Sequence, residues 1–303
     1  MIRSFEEILE KIKGQRPKKI AIAVAQDEPV LEAVRDAAKE SIIEAILIGD
    51  KNKIIEISNR INFSVNDLQI IDEPDNNRAA LKAVELVSNG KADILMKGLL
   101  ETSVILKAVL NKEVGLRTGR LMSHVGVFEI PGYNRLIFIT DAAFNMYPDL
   151  KGKIDILKNA VSVAHAVGID NPKVAPICAV EVVNPDMPAT MDASVLSMMN
   201  KRGQIKGCIV DGPLAVDNAL SEEAAAHKKI DSPVAGKADI LLMPNIEAGN
   251  VMYKTLTYTT NSKNGGLLVG TSAPVVLTSR TDSPESKLYS IALAALVADL
   301  NKP

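Results

Sequence analysis

The chain has 303 residues, of which 47% are apolar and 24% charged, with a formal net charge of −2. That composition excludes a disordered chain, and the length leads one to expect about two domains of roughly 150 residues each. A near-neutral balance speaks against nucleic acid as the main partner, which calls for a strong basic excess, while leaving room for a local anion site made by a few arginines.

The predicted elements alternate from the start. Ser4 and Glu7 have capping-box spacing and open a first helix. This amphipathic, charged start is not a secretory leader. Buried strands are expected at 19–25 (KIAIAVA), 44–49 (EAILIG), about 68–71 and 92–96 (ADILM). Helices are expected between them at 28–40, 51–60 and 76–88. Further strands are read at 125–129, 136–140, 174–180, 207–210, 240–243 and 274–277, and further helices at 104–110, 150–167, 191–201, 214–228, 248–257 and 283–300. Short apolar strands separated by amphipathic helices define an α/β chain with a parallel sheet covered on both faces. Pro131-Gly132 marks a turn and hence one hairpin. The last apolar stretch, 288–300, is interrupted by Ser290 and Asp299 and is too short to span a membrane, so a cytoplasmic location is expected.

The hexapeptide GKADIL occurs at 90–95 and again at 236–241. Nothing around it aligns, so it is read as a shared helix-end-to-strand junction rather than an internal duplication. No Pro/Gly/Ser-rich linker separates two halves, which suits a chain that crosses between its domains more than once, with the site in the cleft.

Several signatures are missing. There is no GxGxxG after the first strand, no GxxxxGK[ST], no HExxH and no GxSxG. His124, His165 and His227 are far apart and have no metal-ligand pattern. Cys178 and Cys208 sit in apolar runs and read as buried strand cysteines rather than a disulfide or metal framework.

The segment 274–286 (PVVLTSRTDSPES) carries the strongest chemical signal. A strand ends in Thr278-Ser279-Arg280, and a helix starts with Ser283 as N-cap and Pro284 at its first position. Open α/β sheets place ligands at such strand ends. A helix N-terminus with an arginine and hydroxyls beside it suits phosphate; the alternative is a surface loop whose arginine makes an ordinary salt bridge. The strand at 92–96 repeats the design: it ends in Lys97-Gly98, and Thr102 and Ser103 open the next helix, as anion ligands or simply as caps. A third strand ends in Thr140-Asp141, with Asn145 following; these side chains either position substrate or build the turn. Arg117 and Arg120 form a small basic cluster, usable for the phosphates of a nucleotide-like ligand or else solvated at the surface.

Six segments together resemble the phosphate acetyl/butyryltransferase family, the butyryl branch more closely. They are 92–110 (ADILMKGLLETSVILKAVL), 115–129 (GLRTGRLMSHVGVFE), 139–149 (ITDAAFNMYPD), 209–217 (IVDGPLAVD), 244–254 (PNIEAGNVMYK) and 277–280 (LTSR). The resemblance implies an isocitrate/isopropylmalate dehydrogenase-like, phosphotransacetylase-type fold of two α/β domains flanking a cleft. The first domain would be 1–125 plus 268–303, the second 126–267. It further implies a reversible reaction of a short-chain acyl-CoA, expected to be butyryl-CoA, with phosphate to give acyl phosphate and CoA. It implies as well that no metal and no permanently bound cofactor take part, and that a homodimer or higher homo-oligomer is to be expected.

Carried onto this chain, the family's Ser-Arg pair falls on Ser279 and Arg280. Phosphate is then held by Lys97, Thr102, Ser103, Arg280 and Ser283. Asp141, Asn145 and Asn250 position substrate, and Arg117 and Arg120 bind CoA. The acetyl branch carries an aspartate as base six residues after the arginine, where this chain has Ser286. Asp282, Glu285 and Asp141 are the carboxylates available in its place; otherwise Arg280 and the helix dipole lower the thiol pKa unaided. The expected chemistry is direct displacement in a ternary complex. The rivals are an NAD- and metal-dependent 2-hydroxy acid dehydrogenase of the same fold and a non-catalytic phosphate- or CoA-binding regulatory module.

Overall fold

The computed structural model describes residues 2–279 and 281–299. Among these the elements in chain order are α1 (Phe5–Ile12), β1 (Lys18–Ala23), α2 (Glu28–Lys39), β2 (Ile43–Gly49), α3 (Lys51–Arg60), β3 (Gln69–Asp72), α4 (Asn76–Ser88), β4 (Ile94–Lys97), α5 (Thr102–Val109), β5 (Ser123–Glu129) and β6 (Ile137–Thr140). There follow α6 (Leu150–Val167), β7 (Lys173–Pro176), α7 (Pro188–Lys201), β8 (Ile209–Val210), α8 (Val216–Leu220), α9 (Glu222–His227), β9 (Ile240–Leu242), α10 (Ile246–Thr259), β10 (Lys263–Val269), β11 (Val275–Val276) and α11 (Pro284–Ala298). The helix starts follow capping chemistry. Asp50, Asp75, Asp149, Asn245 and Ser283 each accept a hydrogen bond from the backbone N–H three residues on. Gly168, in the left-handed region at φ 98°, ends α6.

The chain divides into two compact units. A terminal unit comprises Phe5–Arg120 and Gly265–Pro303; a central unit comprises Leu121–Asn264 with Met1–Ser4. In the terminal unit the strand order is β3-β2-β1-β4-β11-β10. β3, β2, β1, β4 and β11 pair in parallel, and β10 is antiparallel to β11. The chain moves outward from β1 to β3 and then returns to β4 on the other side of β1. With right-handed crossovers, that reversal puts α2 and α4 on opposite faces and opens a crevice at the C-terminal ends of β1 and β4. In the central unit the order is β5-β6-β9-β7-β8, parallel except for the β5–β6 hairpin over Pro131-Gly132.

The two GKADIL copies have one structure. Each glycine has a positive φ, 68° at Gly90 and 73° at Gly236, and each precedes a strand, β4 or β9. Asp93 donates its N–H to the Lys19 carbonyl at 2.7 Å and accepts from the Lys19 N–H at 2.9 Å. Asp239 does the same with Lys173, at 2.9 and 2.8 Å. The repeated hexapeptide is a clasp that fixes the register of a central strand against its neighbour.

Four sequence expectations need correction. Beyond the expected β5–β6 hairpin, β10 also runs against its neighbour β11, so the terminal unit is mixed as well. β10 was not anticipated; its Asn264, Gly265 and Gly266 are all buried. The helix expected at 214–228 is two, α8 and α9, because Ser221 accepts from the Ala224 N–H and starts a new helix. Cys178 and Cys208 are buried, but they lie beside β7 and β8 rather than within them.

Candidate active site

In the terminal unit, the C-terminal ends of β1 and β4 touch through backbone. The N–H groups of Gly98 and Leu99 donate to the carbonyls of Ala23 and Val24, both at 2.8 Å. A Cβ on Gly98 would lie 2.2 Å from the Val24 oxygen, so only glycine allows the approach. Val24 itself has φ 57°, a strained region for a β-branched residue, and such strain collects at functional sites. Lys97, the last residue of β4, is buried with its Nζ 3.3 Å from the Gly98 carbonyl. Glu101 is the N-cap of α5 and its side chain does not cap. Thr102 and Ser103 are therefore the first two helical residues rather than the cap; both are exposed, with their amides in the uncapped first turn.

β11 lies beside β4 in parallel register, Val275 with Leu95 and Val276 with Met96. The loop that follows β11 therefore leaves the sheet next to the Lys97–Glu101 loop. Ser279 and Asp282 close it on each other: the Ser279 N–H donates to Asp282 Oδ2 at 2.7 Å, and the Asp282 N–H donates to the Ser279 carbonyl at 3.2 Å. Ser279 Oγ lies 3.0 Å from Thr281 Oγ1 and accepts from the Thr281 N–H at 3.3 Å. Arg280 lies outside the described residues. Ser283 caps α11, accepting from the Ser286 N–H at 3.1 Å and donating to Ser286 Oγ at 3.2 Å. Glu285 accepts from the Tyr289 hydroxyl at 2.7 Å, and that ring stacks on Phe5 at 4.3 Å.

Lys287 was absent from the sequence-based candidates. Its Nζ donates to the carbonyls of Ser279 at 3.1 Å and Asp282 at 2.5 Å, beneath the same loop. The signal was there: α11 is apolar almost all round, so a lysine one turn in has little solvent to face.

Arg117 and Arg120 are exposed in a segment tied to the β10–β11 connection. Arg117 forms an isolated antiparallel bridge with Thr271, the Ser272 N–H donates to the Leu116 carbonyl, and Thr118 Oγ1 donates to the Gly270 carbonyl.

Asp141, Asn145 and Asn250 are brought together in the central unit, at the end of β6. The Asp141 carboxylate accepts from the N–H groups of Ala143, Phe144 and Asn145 at 2.9, 3.0 and 3.2 Å and from Asn145 Nδ2 at 2.6 Å. Asn145 Nδ2 also reaches the Met122 carbonyl, and Asn250 Nδ2 donates to the Ala142 carbonyl at 3.1 Å. The three side chains thus build the loop, and the Asp141 oxygens are already filled. In the same unit, burial pushes the thiols of Cys178 and Cys208 up to about 11, so neither is a thiolate near neutral pH.

Among the described residues, no group of three His, Cys, Asp or Glu side chains could hold a metal ion, and no helix is long and apolar enough to cross a membrane. At the strand ends of the terminal unit, a lysine, several hydroxyls and two helix N-termini thus lie on adjacent loops.

Comparison with known proteins gives that chemistry a family. Residues 4–81 and 73–295 match the family described as "Phosphate acetyl/butaryl transferase", and the chain belongs to it. The phosphate butyryltransferase of Clostridium acetobutylicum is 69% identical over 298 residues, covering 98% of this chain and 99% of that protein. The phosphate butyryltransferase of Clostridium beijerinckii is 62% identical over 302 residues, the full length of both. A crystal structure of a branched-chain phosphotransacylase from Enterococcus faecalis V583 superposes with a TM-score of 0.82 at 36% identity, covering 93% of this chain and 99% of that one.

Proposed function

We propose that this chain is an acyltransferase that moves a short acyl group reversibly between CoA and inorganic phosphate, with butyryl-CoA as its acyl donor. The near full-length identity to two phosphate butyryltransferases carries this reading. CoA is a substrate, and no permanently bound cofactor is part of the reaction.

In the mechanism we infer, a phosphate oxygen attacks the thioester carbonyl carbon, the oxyanion collapses, and the C–S bond breaks to release the thiolate of CoA. Phosphate sits over Lys97, Thr102, Ser103, Ser283 and Arg280, with the first-turn amides of α5 and α11 completing the cradle. Ser279 donates to the oxyanion or the leaving thiolate. Arg117 and Arg120 take the CoA phosphates. Asp141, Asn145 and Asn250 shape the loop that positions substrate. Phosphate is the nucleophile, so no side chain needs to carry the acyl group, in keeping with two cysteines held as thiols.

Two carboxylates near the Ser279 loop already have partners, Asp282 with the Ser279 N–H and Glu285 with the Tyr289 hydroxyl. This favours a field of cations and helix dipoles, rather than a general base, as what stabilises the thiolate.

The same reading places two domains, 1–125 plus 268–303 and 126–267, about a cleft of the isocitrate/isopropylmalate dehydrogenase type. It also places the enzyme in the cytoplasm as a homodimer or larger homo-oligomer. The test is a comparison of acyl phosphate formation from acetyl-, propionyl-, butyryl- and isobutyryl-CoA with phosphate. The highest kcat/KM is expected with butyryl-CoA; a preference for acetyl-CoA would overturn the butyryl assignment.

A further inference from the structure

We propose that Lys287 is a positioning residue of the acyl-transfer site, its ammonium fixing the Ser279–Asp282 turn at the end of β11 and with it the placement of the Ser279 hydroxyl. The inference rests on the reading of Ser279 as a site residue.

Lys287 lies one turn into α11 and is only 2% exposed. A buried ammonium is costly unless its protons are satisfied. Here the acceptors are two backbone carbonyls, those of Ser279 and Asp282. The same two residues are joined by the reciprocal bonds between Ser279 N–H and the Asp282 carboxylate and between Asp282 N–H and the Ser279 carbonyl. Ser279 and Asp282 are thus held together by a cation on their two carbonyls and by the Asp282 carboxylate on the Ser279 N–H. The pKa of Lys287 is drawn below the ordinary lysine value by burial, against the opposing pull of Asp282 and Asp27.

A purely structural role would be served as well by an apolar side chain, since the part of α11 that follows Lys287 is mostly apolar. What methionine cannot do is pin two carbonyls at once. Each would then rotate toward other donors, and the Ser279 hydroxyl, on the first pinned residue, would lose its orientation. Misplacement of a reacting group by about 1 Å costs on the order of 100-fold in rate.

The experiment is a double-mutant cycle on the full chain, with butyryl-CoA and inorganic phosphate as substrates. Lys287→Met is expected to fold and to lower kcat by about 10- to 100-fold, with the KM for each substrate changed by less than about 3-fold. On a Ser279→Ala background, the same substitution is expected to cost less than about 3-fold further, because the side chain it orients is already gone. Equal losses in both backgrounds would overturn the proposal, as would a Lys287→Met protein that does not fold, since the role would then lie in the domain rather than the turn. If Ser279→Ala is slow and Lys287→Met is not, this inference alone falls. If Ser279→Ala is itself near normal, the reading of Ser279 falls and takes the inference with it.

Discussion

Thiolate stabilisation is the sharpest question at the scale of single residues. Ser286 stands where the acetyl branch has its aspartate, and its N–H and hydroxyl are taken up by the Ser283 cap. With Asp282 closing the Ser279 turn and Glu285 bound to Tyr289, neither carboxylate is poised as a free base. Asp282→Asn and Glu285→Gln are each expected to lower kcat for CoA acylation by less than about 10-fold, whereas removal of a true general base costs about 10²–10⁴-fold. Steady-state kinetics of the two variants with acyl phosphate and CoA decides this. The cysteines make a second case. A thiol pushed to about 11 is almost wholly protonated at pH 7, so a Cys178→Ala, Cys208→Ala variant is expected to keep most of its kcat. Its melting temperature should fall, because two buried side chains are trimmed. An acyl group trapped on either sulfur by mass spectrometry would refute direct displacement.

Helices and strands were legible wherever apolar spacing and capping agreed. α3, α4 and α6 have the bounds their spacing gives, each opened by an aspartate cap. β10 was hidden because two consecutive glycines resemble a turn. The structure gives the reason for one of them: a Cβ on Gly265 would lie 2.9 Å from the Ser290 nitrogen, so α11 can press on the strand only there. The break between α8 and α9 was hidden because the apolar spacing runs through Ser221, whose capping is seen only in three dimensions. Glu73, just after β3, ties this strand end to α4 through Arg78 at 3.1 Å and Lys82 at 2.7 Å. Its carboxyl is held below the ordinary glutamate range chiefly by the Lys82 hydrogen bond, with Asp75 N–H and Arg78 adding to it against burial. A lowered folded-state pKa contributes stability above the unfolded value of about 4.3 and loses it as pH falls through the folded value. Glu73→Gln should therefore lower unfolding stability at pH 7, and the difference from the unsubstituted protein should shrink below about pH 4. Denaturant titrations at several pH values would reveal it; a difference independent of pH would contradict the ionic account.

Across the whole molecule, both units use one plan, a mostly parallel sheet with a GKADIL clasp at the start of a central strand. The sequence showed the plan through alternation and through the loops after β4, β6 and β11. It hinted at Lys287 only through the apolar run that follows it, and the carbonyls that this lysine meets are seen only in three dimensions. It could not show that Asp141 spends its oxygens on three amides and a side chain. That capacity depends on how the loop after β6 folds back, which no spacing encodes. The central claim is that phosphate itself attacks the thioester, and the most direct measurement is release of the CoA thiol from butyryl-CoA as phosphate is raised from zero. The account predicts no release without phosphate, saturable release with it, and one acyl phosphate formed for each thiol. Release at the same rate without phosphate, or a burst of one thiol per chain before phosphate is added, would contradict it.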